Sequence, residues 1–184
     1  LLKKKSKWIQ KKLLLTITNE EPFKIHNEVK FKIFDKELLI LLSEGKNNIS
    51  IEGTHCLVSF NNLSDHLKLK KFFHIWIKKY ALNYFTERVQ ELCRANDLKV
   101  KSTFISNAKT RWGTCNSRKE IRLNWRLIQA PPLVIDYVIC HELSHLKFMN
   151  HSIDFWQQVQ SLFPNYKEAE LYLKKNGFTL YRID

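Results

Sequence analysis

The sequence predicts an α+β fold, with antiparallel strands set around one helix that carries the chemistry and a small β region ahead of them. Apolar and polar residues alternate from Phe23 to Phe60 and again beyond Leu98, the period of strands with one buried face. Between these stretches, from about Ser64, a stripe of apolar residues from Leu69 to Leu92 recurs at helical spacing. The third observation is the run Cys140 to His151, CHELSHLKFMNH, which sets three imidazoles and a carboxylate at the end of a segment apolar nearly all round.

The first element rests on Phe23, Ile25, Val29, Phe31 and Ile33, followed by two further apolar runs on either side of Gly45-Lys-Asn-Asn48. They predict a small antiparallel β region over residues 1–62. Within it, the apolar piece Leu13 to Ile17 is too short for a signal-peptide core and no small-residue cleavage site follows, which predicts a cytoplasmic protein. The helical stripe opens a second unit, residues 63–184. His66 and His74 lie on this helix as lone histidines and suggest no ligand.

Strand character returns through Val100 to Ile105, Arg111 to Cys115 and Glu120 to Ile128, with the polar turn Asn116-Ser-Arg-Lys119 predicting a hairpin. Pro131-Pro132 then stops the strand and starts a helix, because proline at the first helical position gives up an N–H that has no partner there anyway. That helix carries His141. Ser152 reads as the N-cap of a shorter helix. Asn165, with Glu168 three residues on, reads as the capping box of a last helix ending at Asn176-Gly177.

Composition narrows the function classes. A hydrophobic content of 44%, with 12% aromatic residues, is that of a chain with a packed core. The densest apolar run, Leu38 to Leu42, falls far short of the ~20 residues of a membrane span. The four cysteines form no CxxC pair, which suits reduced thiols. The net charge of +13 is concentrated before the histidine cluster, and residues 99–131 alone carry eight basic side chains against one acidic. Such a balance admits an anionic partner, nucleotide or nucleic acid, as well as a merely solvated face.

Helical residues four apart are rotated by only ~40°, so His141 and His145 project from one face as two ligands of one ion must. Glu142 lies ~100° away, placed to reach a water without entering the ligand set. Neutral imidazoles ligate a divalent ion, here Zn2+, and the carboxylate takes a proton from water. His151 is the candidate third ligand, with Asn150 expected to supply a left-handed turn that brings the chain back. Burying two histidines and a glutamate costs free energy unless they are paired or metal-bound, which favours the metal over a purely structural cluster. A thiol nucleophile is disfavoured, since Cys140 points ~100° away from His141.

Taken together, Arg111-Trp-Gly-Thr-Cys115, Ile121-Arg-Leu-Asn-Trp-Arg-Leu127, Ala130-Pro-Pro, His141-Glu-Leu-Ser-His145, Asn150-His-Ser152 and Phe155-Trp156 resemble the YgjP-like metallopeptidase family, related to the SprT and WLM zincins. The resemblance covers about residues 70 to 177. It implies a zincin-like domain with zinc held by His141, His145 and His151, with Glu142 as general base. It also implies that the strand Glu120 to Leu127, with Arg122 and Arg126, lies beside the active-site helix and offers an edge to an extended peptide. Phe148 stands where metzincins have a turn glycine.

The leading expectation is a zinc-dependent hydrolase acting on a peptide or protein. Tyr166, Arg111 and Asn124 are candidate oxyanion donors, and Asp136 or Asp154 candidate partners for the ligand histidines. The alternatives are a nucleoside-triphosphate (UTP-type) pyrophosphatase using the same metal and a basic hairpin, and a nucleic-acid-associated binding module with structural zinc.

Overall fold

The computed structural model describes residues 23–184. The signal-peptide reading, which rests on Leu13 to Ile17, and the start of the predicted β region lie outside the described residues.

The N-terminal sheet comprises β1 (Lys30–Ile33), β2 (Lys36–Glu44), β3 (Asn48–Glu52) and β4 (His55–Phe60), in the order β1-β2-β4-β3. It is mixed, whereas the alternation predicted an antiparallel region. β4 inserts between β2 and β3, parallel to β2 (Ile40 opposite Cys56) and antiparallel to β3. Ile40, Cys56 and Val58 are fully buried on its inner face.

That face packs on α1 (His66–Ala95), capped by the Asp65 carboxylate, which accepts from the Lys68 backbone N–H. The buried residues of α1 are Leu69, Phe73, Ile77, Ala81, Phe85, Val89 and Cys93, spaced four apart throughout. Each step advances the line by ~40°, so it winds part way around the helix and meets different partners along its length. Near the start Phe73 meets Phe31 edge to face at 5.2 Å. His74, next to Phe73 but off this line, meets Trp125, and the last turns lie against β5. A single stripe thus lets one helix serve both sheets.

The second sheet, β5 (Ser102–Ser106), β6 (Gly113–Cys115) and β7 (Glu120–Asn124), has the order β5-β7-β6. The predicted hairpin is β6–β7, antiparallel with Thr114 opposite Arg122, while β5 runs parallel to β7. The expected strand through Ile128 stops at Asn124 and continues as a 3-10 helix over Trp125–Gln129, fully inside the core. The Asn124 side chain causes the change of direction: its Oδ1 accepts from the Arg126 N–H and its amide donates to the carbonyl of Ala108 at 2.6 Å.

Three helices complete the fold: α2 (Pro132–Ser144), α3 (Ile153–Leu162) and α4 (Tyr166–Asn176). Pro132 opens α2 and Ser152 caps α3, as the sequence predicts. The capping box expected for α4 is not made; Asn165 offers only its backbone carbonyl to Glu168. α4 does end at Asn176-Gly177, as the sequence predicts, and the chain then continues as a 3-10 helix over Gly177–Ile183. Arg88 ties α1 to α2 by a forked pair of bonds to Asp136, at 2.7 and 2.8 Å. No helix among the described residues is long and apolar enough to cross a membrane.

The C-terminal 3-10 helix returns to the core as a clasp. Gln129 donates to the Leu180 carbonyl at 2.8 Å, and Arg126, 4% exposed, donates to Asp184 at 2.8 and 2.7 Å between the rings of Trp125 and Tyr181. Arg126 was expected on an exposed basic strand; its charge is instead spent on holding this clasp. Removing one member of a buried ion pair strands the other, and Asp184 is partly solvated, so Arg126→Gln is expected to cost about 2–3 kcal/mol by denaturant unfolding. Arg122→Gln, on the exposed face over Phe104, should cost under about 0.5 kcal/mol.

Candidate metal centre

α2 brings His141 and His145 to one face, one turn apart, and places their rings 5.3 Å from each other. The helix ends at Ser144 with His145 as its C-cap, and the chain turns through bonds from Leu146 to the Leu143 carbonyl and from Phe148 to that of Ser144. Asn150 is not left-handed, contrary to the expectation; the positive-φ residues are all elsewhere. A turn without positive φ needs no glycine at position 148. It returns His151 to the helix, so that one ligand-type nitrogen from each of His141, His145 and His151 lies within 4.8 Å of the others.

The nitrogens are arranged as a ligand set requires. His151 Nε2 stands 3.2 Å from His141 Nε2, and two ligands on a tetrahedral zinc with bonds of ~2.0–2.1 Å stand about 3.3 Å apart. His145 Nδ1 lies 2.9 Å from the Phe148 carbonyl, which can only accept. Its proton is therefore fixed on Nδ1 and the Nε2 lone pair is left free. Burial and the two neighbouring imidazoles push the pKa of His141 down to about 3, holding it neutral, the form that ligates. Its Nδ1 is buried without a hydrogen-bond partner. These residues fit a divalent ion.

The wall behind the triad is aromatic. Phe155 on α3 contacts all three imidazoles, with ring centroids 4.9, 4.6 and 4.7 Å from His141, His145 and His151. Trp156 stacks on His151, Tyr166 on Trp156, and Tyr137, one turn before His141, on Tyr166. The sequence signal for Tyr137 is its spacing, since a residue four before His141 must share its face.

Glu142 is 5% exposed, and burial pushes its carboxyl up to about 8 against the opposing charge of Arg111. Its side chain lies against Gly113 of β6, and the neighbouring Trp112 packs against Tyr181. The edge offered beside α2 is β6, since β7, expected in that place, is the central strand and is paired on both sides.

Other expectations sort clearly. Asn124 is fully buried with its amide committed to the Ala108 and Arg111 carbonyls, so it has no donor for a substrate. Asp136 is engaged by Arg88 and Asp154 is exposed, and the partner found for His145 is a backbone carbonyl. Burial pushes the Cys140 thiol up to about 12, far from a nucleophile. The basic side chains do not converge: Arg126 is buried on Asp184, Arg118 pairs with Glu120, and Arg122 covers Phe104.

The family model for the YgjP-like metallopeptidase domain matches residues 1–176. Among solved structures, the chain is similar to the metallopeptidase zymogen jannalysin of Methanocaldococcus jannaschii, with 22% identity and a TM-score of 0.44 over 50% of this chain and 95% of that one. It is similar to the zymogen abylysin of Pyrococcus abyssi at 21% identity and a TM-score of 0.44, over 50% and 93% of the two chains. No curated protein matches.

Proposed function

Because the chain belongs to the YgjP-like metallopeptidase family and is thus a metal-dependent hydrolase with a peptide or protein substrate, we propose that its ion is zinc, held by His141, His145 and His151, with Glu142 as general base. The observation that carries the ligand set is the convergence of three imidazoles, with His145 held in the ligating tautomer by the Phe148 carbonyl. Residues 63–184 form the zincin-like unit in this reading, and residues 1–62 a β-rich region ahead of it.

When bound, the ion supplies Lewis acidity toward a carbonyl and toward water. The chain supplies the rest. Glu142 removes a proton from the attacking water and returns it to the leaving amine, serving as base and then as acid in one turnover. Phe155 and Trp156 fix the imidazole planes and keep water from the back of the site. Three neutral ligands, one of them exposed, leave a position open on the solvent side, unlike the closed, cysteine-rich sets of structural zinc.

Purified protein is expected to carry about one zinc per chain and to cleave fluorescein-labelled casein, with cleavage lost on chelation and regained on adding zinc. Hydrolysis of nucleoside triphosphates but not of casein would overturn the peptidase reading. Zinc that stays through exhaustive chelation with no hydrolysis of either would make it structural.

A further inference from the structure

The motif Arg111-Trp-Gly-Thr-Cys115 has so far no part in the chemistry, yet it runs beside Glu142. Arg111 is the cation whose charge bears on the Glu142 carboxyl, and the Cys115 thiol feels the charge of Glu142 in turn. Between them, Gly113 lies against the side chain itself. A Cβ on Gly113 would stand 2.5 Å from Oε1, 2.7 Å from Cγ and 2.8 Å from Cδ of Glu142, all closer than carbon atoms tolerate. These are its three nearest neighbours.

Backbone conformation does not explain this glycine. The glycines with positive φ are Gly45 and Gly53, and Gly113 sits in a strand paired with Leu123, where a glycine ordinarily weakens the sheet. What its missing side chain provides is room. Nor can α2 retreat to make space, because Ile139, Leu143 and Ser144 beside Glu142 are fully buried and cores resist displacement. Since the overlap involves Cγ and Cδ as well as Oε1, the whole carboxylate arm would have to leave its position.

We propose that Gly113 is a positioning residue for the general base, its bare backbone being the seat on which the Glu142 side chain lies. The proposal rests on the general-base role of Glu142 given above, but the contact itself can be tested apart from it. In the zinc-loaded protein, Gly113→Ala is expected to lower kcat on fluorescein-labelled casein by about a hundredfold, the effect of misplacing a catalytic group by about 1 Å, with KM within about threefold and zinc content unchanged.

The activity-independent readout is a double-mutant cycle on melting temperature in the metal-free protein. Gly113→Ala alone should lower Tm by roughly 3–10 °C through overpacking. In a Glu142→Ala background the same substitution should lower it by under about 1 °C or raise it, because the arm it strikes is gone. Should Gly113→Ala alone fail to fold, adding Glu142→Ala should restore folded protein. An equal loss of Tm in both backgrounds, no restoration of folding, or a Gly113→Ala enzyme within threefold of native kcat would overturn the proposal. Normal turnover in Glu142→Gln, with the Tm coupling intact, would instead remove the general-base reading and leave the seat.

Discussion

Glu142→Gln is expected to lower turnover by at least about a hundredfold while zinc content and melting temperature stay close to those of the native chain. General acid–base groups contribute typically ~10²–10⁴-fold, and glutamine has no basic oxygen with which to take a proton from water. The substitution is otherwise conservative here. Glutamine matches glutamate in length, so it fits the space over Gly113 that a Cβ there would close. It is neutral, so a site that already disfavours the carboxylate charge should not be destabilised by it. If Glu142 acts in the transition state alone, kcat and kcat/KM fall together and KM is unchanged. Near-normal turnover in the zinc-loaded variant would return the triad to a binding or structural role.

The metal triad was legible in the sequence because its geometry is mostly local. His141 and His145 need only the helical period to share a face, and His151 needs only a turn within six residues. What was illegible depends on distant partners. Arg126 reads as one more positive charge until Asp184, 58 positions away, is seen to take it. Gly113 reads as one residue of the strand Arg111 to Cys115 until α2 lays Glu142 over it. The parallel pairing of β2 with β4 escaped for a similar reason: alternation reports that a strand has one buried face, not which neighbour lies beside it. Asn150 shows the opposite failure. A residue that tolerates the left-handed region was assigned to it, but the turn bonds from Leu146 and Phe148 reverse the chain with no residue at positive φ. The carbonyl of Phe148, a residue noted only as a departure from another family's glycine, is what orients His145.

His151→Ala tests the ligand set at its most separable member. His151 is exposed and follows the helix rather than lying in it, so its removal should leave the metal-free fold within about 0.5 kcal/mol of the native one. Loss of a group that merely orients a ligand costs about 10–100-fold in metal affinity, so loss of the ligand itself should exceed the upper end, about a hundredfold. The consequence can be read without any substrate. At a fixed free zinc concentration well above both dissociation constants, a hundredfold weaker site forfeits about 2.7 kcal/mol of zinc-linked stability, so the rise in Tm on adding zinc should shrink sharply while the metal-free Tm does not move. Competition with a chromogenic chelator gives the affinity directly. His141→Ala makes a poorer test, since His141 lies within the packed length of α2 against Phe155, where truncation also opens a cavity. Should His151→Ala bind zinc as tightly as the native chain, the third ligand is not His151, and the 3.2 Å approach of its Nε2 to His141 would be a hydrogen bond between two imidazoles.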